Sequence, residues 1–141
     1  MSGFTAATGH RCKQTQRMLE FALHAALARE LHQSEQTRQQ ITHFSKRHPS
    51  MTIEDSYAIQ REWMKIKLSE GRRVIGHKIG LTSRAMQLAS RITEPDFGTL
   101  LNDMLLRDGG EIETARFIVP RLEVEFAFIL ARPLKGPGVT L

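Results

Sequence analysis

At 141 residues, 40% hydrophobic and 25% charged, the chain is long enough for one domain with its own core and is ordinary for a water-facing protein. No stretch reaches the length of a membrane span, and the start lacks the apolar core of a secretory signal. The single cysteine, Cys12, excludes an internal disulfide and fits a reducing cytoplasm.

The net charge of +5 first suggests nucleic acid, but its distribution argues against it. Residues 1–17 hold Arg11, Lys13 and Arg17 and no acid; beyond them 17 basic side chains stand against 15 acidic ones, a balance of +2 with no basic stripe for a phosphate backbone. These seventeen residues are rich in Ser, Thr, Gly and Gln and are expected to form a disordered extension ahead of a true start at Met18. Their composition also has features of a mitochondrial address.

Leu19, Leu23, Leu27 and Leu31 then recur at the helical spacing, with Ala22 and Ala26 beside them, and predict an amphipathic helix over 19–31. Ser34 to Lys46 is polar, anchored only by Ile41 and Phe44, and gives a weaker helical signal that His48-Pro49-Ser50 ends. His43 and His48 lie in this polar stretch and read as surface residues. Thr52-Ile53-Glu54-Asp55 has the form of a capping box, with Asp in place of Glu or Gln. A helix extends from there to about Glu70, with Ile59, Trp63 and Ile66 on one face and Gly71 in the stop position. Residues 18–71 are thus expected to form an N-terminal helical region.

After Gly71 the period changes. Arg73 to Ile79 predicts a strand, and Gly80-Leu81-Thr82-Ser83 turns it into a short helix from Arg84 to Ala89, capped by Thr82 or Ser83. Ile92 to Gly98 reads as a loop from its Pro and Gly, Met104 to Leu106 as a strand, and Asp108-Gly109-Gly110 as a turn. Phe117 to Leu130 is expected to be a long strand with Pro120 at an edge or bulge. The class is α+β.

In that last strand Val124, Phe126, Phe128 and Leu130 would share one face, and Glu123 and Glu125 the other, with Ala127 and Ile129 beyond them. Two carboxylates side by side on so apolar a strand repel each other unless water or a cation satisfies them. Two readings stand: a solvated face of an antiparallel sheet, or a metal site.

Three motifs occur in order: Gly76-His77-Lys78-Ile79-Gly80-Leu81-Thr82-Ser83, Glu94-Pro95-Asp96-Phe97-Gly98 and Pro120-Arg121-Leu122-Glu123-Val124-Glu125. Together with Gln60-Arg61-Glu62-Trp63 and Pro133-Leu134-Lys135-Gly136-Pro137, they resemble the hydratase branch of the fumarylacetoacetate hydrolase family from about Leu19 to Leu141. The resemblance implies a divalent ion, Mg2+ or Mn2+, at Glu123 and Glu125, with Lys78 as acid–base lysine and Asp96 as its carboxylate partner. It also implies a 2-oxo dicarboxylic acid as small-molecule partner, hydrated at its conjugated double bond in aromatic-compound (homoprotocatechuate) catabolism. Arg121 is the candidate for the far carboxylate, or else balances the charge of the two glutamates. Without the resemblance, Lys78 reads as a strand-end lysine in solvent and Asp96 as a turn residue.

Family members are about twice as long and tend to be ring-like homo-oligomers. Residues 72–141 are accordingly expected to be an incomplete β domain of that family, lacking a third carboxylate ligand, with weak activity or none. Two alternatives come from the same family: hydration of 2-oxopent-4-enoate and decarboxylation of 4-oxalocrotonate. One comes from another class, a small basic helix-turn-helix module centred on the turn between Lys46 and Glu54.

Overall fold

A computed structural model describes residues 18–140. The expected disordered extension, residues 1–17, lies outside the described residues. The chain runs α1 (Phe21–Thr37), α2 (Phe44–Arg47), α3 (Ile53–Ser69), β1 (Val74–Gly80), α4 (Arg84–Ser90) and β2 (Asp96–Leu101). Two 3-10 turns come next, Asn102–Met104 and Thr114–Arg116. The architecture is mixed: a helical layer and a small antiparallel sheet, β1 with β2.

The helical layer is the packing of α1 on α3. Leu27, Ala28 and Ile59 form its buried centre, with Leu19, Leu23, Leu31, Trp63 and Ile66 partly buried around it. The leucine repeat therefore faces inward as expected, whereas Ala22 and Ala26 point to solvent. Ala28, fully buried, takes their place in the core between the two helices.

α1 runs six residues past the expected end at Leu31. It stops at Arg38, whose left-handed φ of 56° closes the helix with a bond from its N–H to the Ser34 carbonyl. Beyond it, the polar stretch to Lys46 forms no full helix. α2 is a single turn, so the segment around Lys46–Glu54 lacks the paired helices of a helix-turn-helix.

α3 begins with the expected capping box. The Asp55 N–H donates to Thr52 Oγ1 at 3.2 Å, and the Thr52 N–H donates to Asp55 Oδ2 at 2.8 Å. The same carboxylate reaches α1: the Leu19 N–H donates to Oδ1 at 2.9 Å and His24 Nε2–H at 2.7 Å. Asp55 and His24 are both buried, so this network locks the start of α3 to the start of α1. At the other end Lys67 is buried, pairs with Glu35 and lies 4.9 Å from the centre of the Trp63 ring.

Three expectations are corrected in the second half. Asp96, Phe97 and Gly98 belong to β2, not to a loop, because pairing with β1 satisfies their backbone. Met104–Leu106 is not a strand. The Arg73 N–H donates to Asn102 Oδ1 at 2.6 Å, the Asn102 N–H donates to the Arg73 carbonyl at 2.9 Å, and the ladder ends there in a 3-10 turn. Phe117–Leu130 is not a strand, since no described strand lies beside it to pair its N–H and C=O groups. Its apolar side chains stand in solvent, Val124 at 103%, Phe126 at 95% and Phe128 at 85% exposure.

Candidate active site

The site is built on the β1–β2 pair. Lys78 is opposite Gly98 and Gly80 opposite Asp96. Alternation then puts Lys78, Gly80, Asp96 and Gly98 on one face, and Ile79 and Phe97 on the other. Lys78 and Asp96 occupy diagonal corners of one block.

The opposite face holds the sheet to the helices. The Phe97 ring stacks on Tyr57 of α3 with centroids 4.5 Å apart and planes 14° apart, and Gln60 Nε2 donates to the Phe97 carbonyl at 3.3 Å. The backbone that carries Asp96 is thereby anchored to α3 one residue away. The end of the pair is fixed by Arg72, whose Nε lies 2.7 Å from Asp103 Oδ2. Burial opposes the guanidinium charge, but Asp103 and Glu70 outweigh it and raise the Arg72 pKa above its ordinary value.

β1 leaves the site through Leu81, a branched residue held at φ 52°, where its carbonyl accepts from Gln87 Nε2 at 2.8 Å. Holding a non-glycine residue there costs about 1 kcal/mol. Of the two cap candidates, Ser83 is the one used: its hydroxyl accepts from the Met86 N–H at 3.2 Å.

Glu123 comes from the unpaired segment. Its Oε2 lies 3.8 Å from Lys78 Nζ, a loose ion pair between half-exposed and exposed side chains. Such a pair contributes at most about 1 kcal/mol to stability. Glu125, Arg121 and Asp96 are exposed. Among the described residues no three His, Cys, Asp or Glu side chains converge as a ready metal cage. The donor chemistry of Glu123 and Glu125, hard carboxylate oxygens, fits a hard divalent ion, and the number of protein donors is two.

A cleft of about 460 Å³ on the helical layer, lined among others by Phe21, His24, Arg61 and Lys65, includes none of the sequence-predicted site residues. Three features of the site were missed in the sequence. The Tyr57 and Gln60 anchors depend on how α3 packs and leave no local signal. The placement of glycines opposite Lys78 and Asp96 left one, the repeated spacing of Lys78-Ile79-Gly80 and Asp96-Phe97-Gly98.

No family model matches the chain. It is 56% identical over 124 residues to the 2-oxo-hept-4-ene-1,7-dioate hydratase of Escherichia coli, covering 88% of this chain and 46% of that protein. It is 44% identical over 95 residues to the 2-hydroxyhexa-2,4-dienoate hydratase of Comamonas testosteroni, covering 66% of this chain and 36% of that one. Among solved structures, 4-oxalocrotonate decarboxylase from Pseudomonas putida G7 complexed with magnesium and adipate superposes with a TM-score of 0.59 at 30% identity, over 62% of this chain and 33% of that one. The same decarboxylase complexed with calcium and acetate gives the same TM-score and identity.

Over most of its length the chain is thus similar in sequence to these hydratases, and in sequence and fold to a 4-oxalocrotonate decarboxylase. It spans about half or less of the length of the curated relatives it matches.

Proposed function

We propose that this chain forms part of a metal-dependent hydratase that adds water to the conjugated double bond of 2-oxohept-3-ene-1,7-dioate in aromatic-compound catabolism. The Escherichia coli relative, named for the 4-ene isomer of that seven-carbon diacid, supports the substrate class. The observation that carries the reading is the meeting of Lys78 and Glu123, from motifs far apart in the chain, on a pair of strands where Asp96 shares the Lys78 face.

In this reading Glu123 and Glu125 hold a divalent ion, Mg2+ or Mn2+. The ion supplies Lewis acidity toward the 2-oxo acid end of the substrate. Lys78 Nζ moves the proton that C3 gains when water adds at C4. Asp96 orients that water and accepts its proton. Arg121 pairs with the distal carboxylate of the diacid. Two carboxylates hold magnesium weakly, because the ion gives up its waters reluctantly. Turnover by the 141-residue chain is therefore expected to be weak or absent.

The test is calorimetric titration of the purified chain with magnesium in the presence of oxalate, a 2-oxo acid mimic. Binding that vanishes in Glu123→Ala and in Glu125→Ala is the expected result. A folded chain that binds no magnesium would sink the metal assignment. The matches to a solved 4-oxalocrotonate decarboxylase, and to a decarboxylase from a Pseudomonas strain at 34% identity, favour decarboxylation as the second reading. Release of carbon dioxide from 4-oxalocrotonate, without hydration of the seven-carbon diacid, would select it. Faster hydration of the monoacid 2-oxopent-4-enoate would point instead to a pentenoate hydratase.

A further inference from the structure

In Lys78-Ile79-Gly80 and Asp96-Phe97-Gly98 a glycine stands two positions after a charged residue. The antiparallel register folds the two tripeptides into a square, with the charged residues on one diagonal and the glycines on the other. A glycine inside a strand weakens it relative to alanine. Two in one block call for a reason, and backbone freedom is not it: neither has the positive φ that distinguishes Gly71, Gly109 and Gly138.

The reason is space. A Cβ placed on Gly80 would overlap Asp96 Oδ1 and come within 3.3 Å of Asp96 Cγ. A Cβ on Gly98 would stand 3.2 Å from Lys78 Cγ and 3.6 Å from Cδ. Gly76, on the same strand and face, behaves differently: its Cβ would meet nothing nearer than Leu100 Cδ1 at 3.9 Å, an ordinary contact.

We propose that Gly80 and Gly98 are positioning residues, the first forming the seat of the Asp96 carboxylate and the second the seat of the Lys78 stem. The inference rests on the reading of Lys78 and Asp96 as the acid–base pair. The two seats are unequal. At Gly98 a flexible lysine stem gives way by a few tenths of an ångström. At Gly80 the overlap has to be relieved, and the atom that yields is the end of a short side chain, not backbone. Gly80→Ala therefore keeps the strands paired and turns Asp96 out of its rotamer.

The experiment is NMR on the isotope-labelled 141-residue chain, reading the three-bond Hα–Hβ couplings of Asp96 together with the cross-strand contacts of β1 and β2. Wild type and Gly76→Ala are expected to share one set of Asp96 couplings, and Gly80→Ala to show a different or averaged set with the pairing intact. Unchanged Asp96 couplings in Gly80→Ala would overturn the proposal. Where Gly80→Ala instead loosens the pairing, the double variant Gly80→Ala/Asp96→Ala restores it if the carboxylate is the cause; failure to restore it overturns the proposal as well.

Magnesium with oxalate, added to the wild-type chain, tests the underlying site reading separately. Perturbed Lys78 and Asp96 resonances support both. Unperturbed resonances, with Asp96 still displaced in Gly80→Ala, overturn the acid–base reading and leave the seat standing. In any chain with hydratase turnover, Gly80→Ala lowers kcat roughly tenfold to a hundredfold with little change in KM, and Gly76→Ala does not.

Discussion

Asp55 shows how a single side chain can serve two elements at once. Burial by itself would raise its pKa. Hydrogen bonds from the Thr52 N–H, the His24 ring, the Leu19 N–H and the Thr52 hydroxyl outweigh that effect and lower it from 3.8 to about 2. A carboxylate whose folded pKa lies below its unfolded one stabilises the fold above the unfolded value. That stability is lost as pH falls through the folded value. The window here is about pH 4 to pH 2, and the stake is about 2 kcal/mol. The thermal midpoint of the chain is expected to fall over that window, and Asp55→Asn to start lower and fall less; an Asp55→Asn variant with the same pH profile would refute the role. Half of this network was legible in the sequence. Thr52 and Asp55 stand at the spacing a capping box requires, whereas the His24 partnership depends on the angle at which α1 meets α3 and has no local signature. Lys78 and Asp96 divide the same way, since motifs mark the residues but only the register reveals what faces them.

Among the elements, α3 does the most to place the site. It caps itself at Thr52, packs Ile59 into the centre of the helical layer, and presents Tyr57 and Gln60 to Phe97. Each contact has its own expected cost. Thr52→Ala removes the cap and is expected to destabilise the chain by about 1 kcal/mol. Ile59→Ala leaves a cavity between two helices and is expected to cost about 2–5 kcal/mol, measured by urea unfolding. Tyr57→Ala is expected to act locally, speeding hydrogen exchange at the β2 amides while those of α1 hold; uniform exchange across both would show that the stack does not anchor the strand. The helices were legible because their periodicity and caps are written in short stretches of sequence. The strands were less so. Pro95 and Gly98 read as loop, yet β1 supplies partners for the residues from Asp96 onward. The apolar alternation of 117–130 read as strand, yet a strand exists only where a neighbour supplies the other half of its hydrogen bonds.

At the scale of the whole molecule, those residues form a large exposed apolar segment among the described residues. Leu122, Val124, Phe126 and Ile129 are each at least 95% exposed, in an extended segment with open hydrogen-bonding groups. Such a segment recruits other chains. Sedimentation velocity is expected to show association that grows with concentration, and Phe126→Lys with Phe128→Lys to suppress it several-fold without moving the helical melting transition. Persistent association in that double variant would place the contact elsewhere.

The docking of Phe97 on Tyr57 has one more consequence. Neighbouring residues of a strand point to opposite faces, so sliding β2 by one position against β1 would exchange Asp96 and Phe97. The ring would swing away from α3, and a carboxylate would be pressed against the helix in its place. The aromatic contact thus checks the register of the far side of the sheet: whenever Phe97 stacks on Tyr57, Asp96 is already turned to the face that holds Lys78.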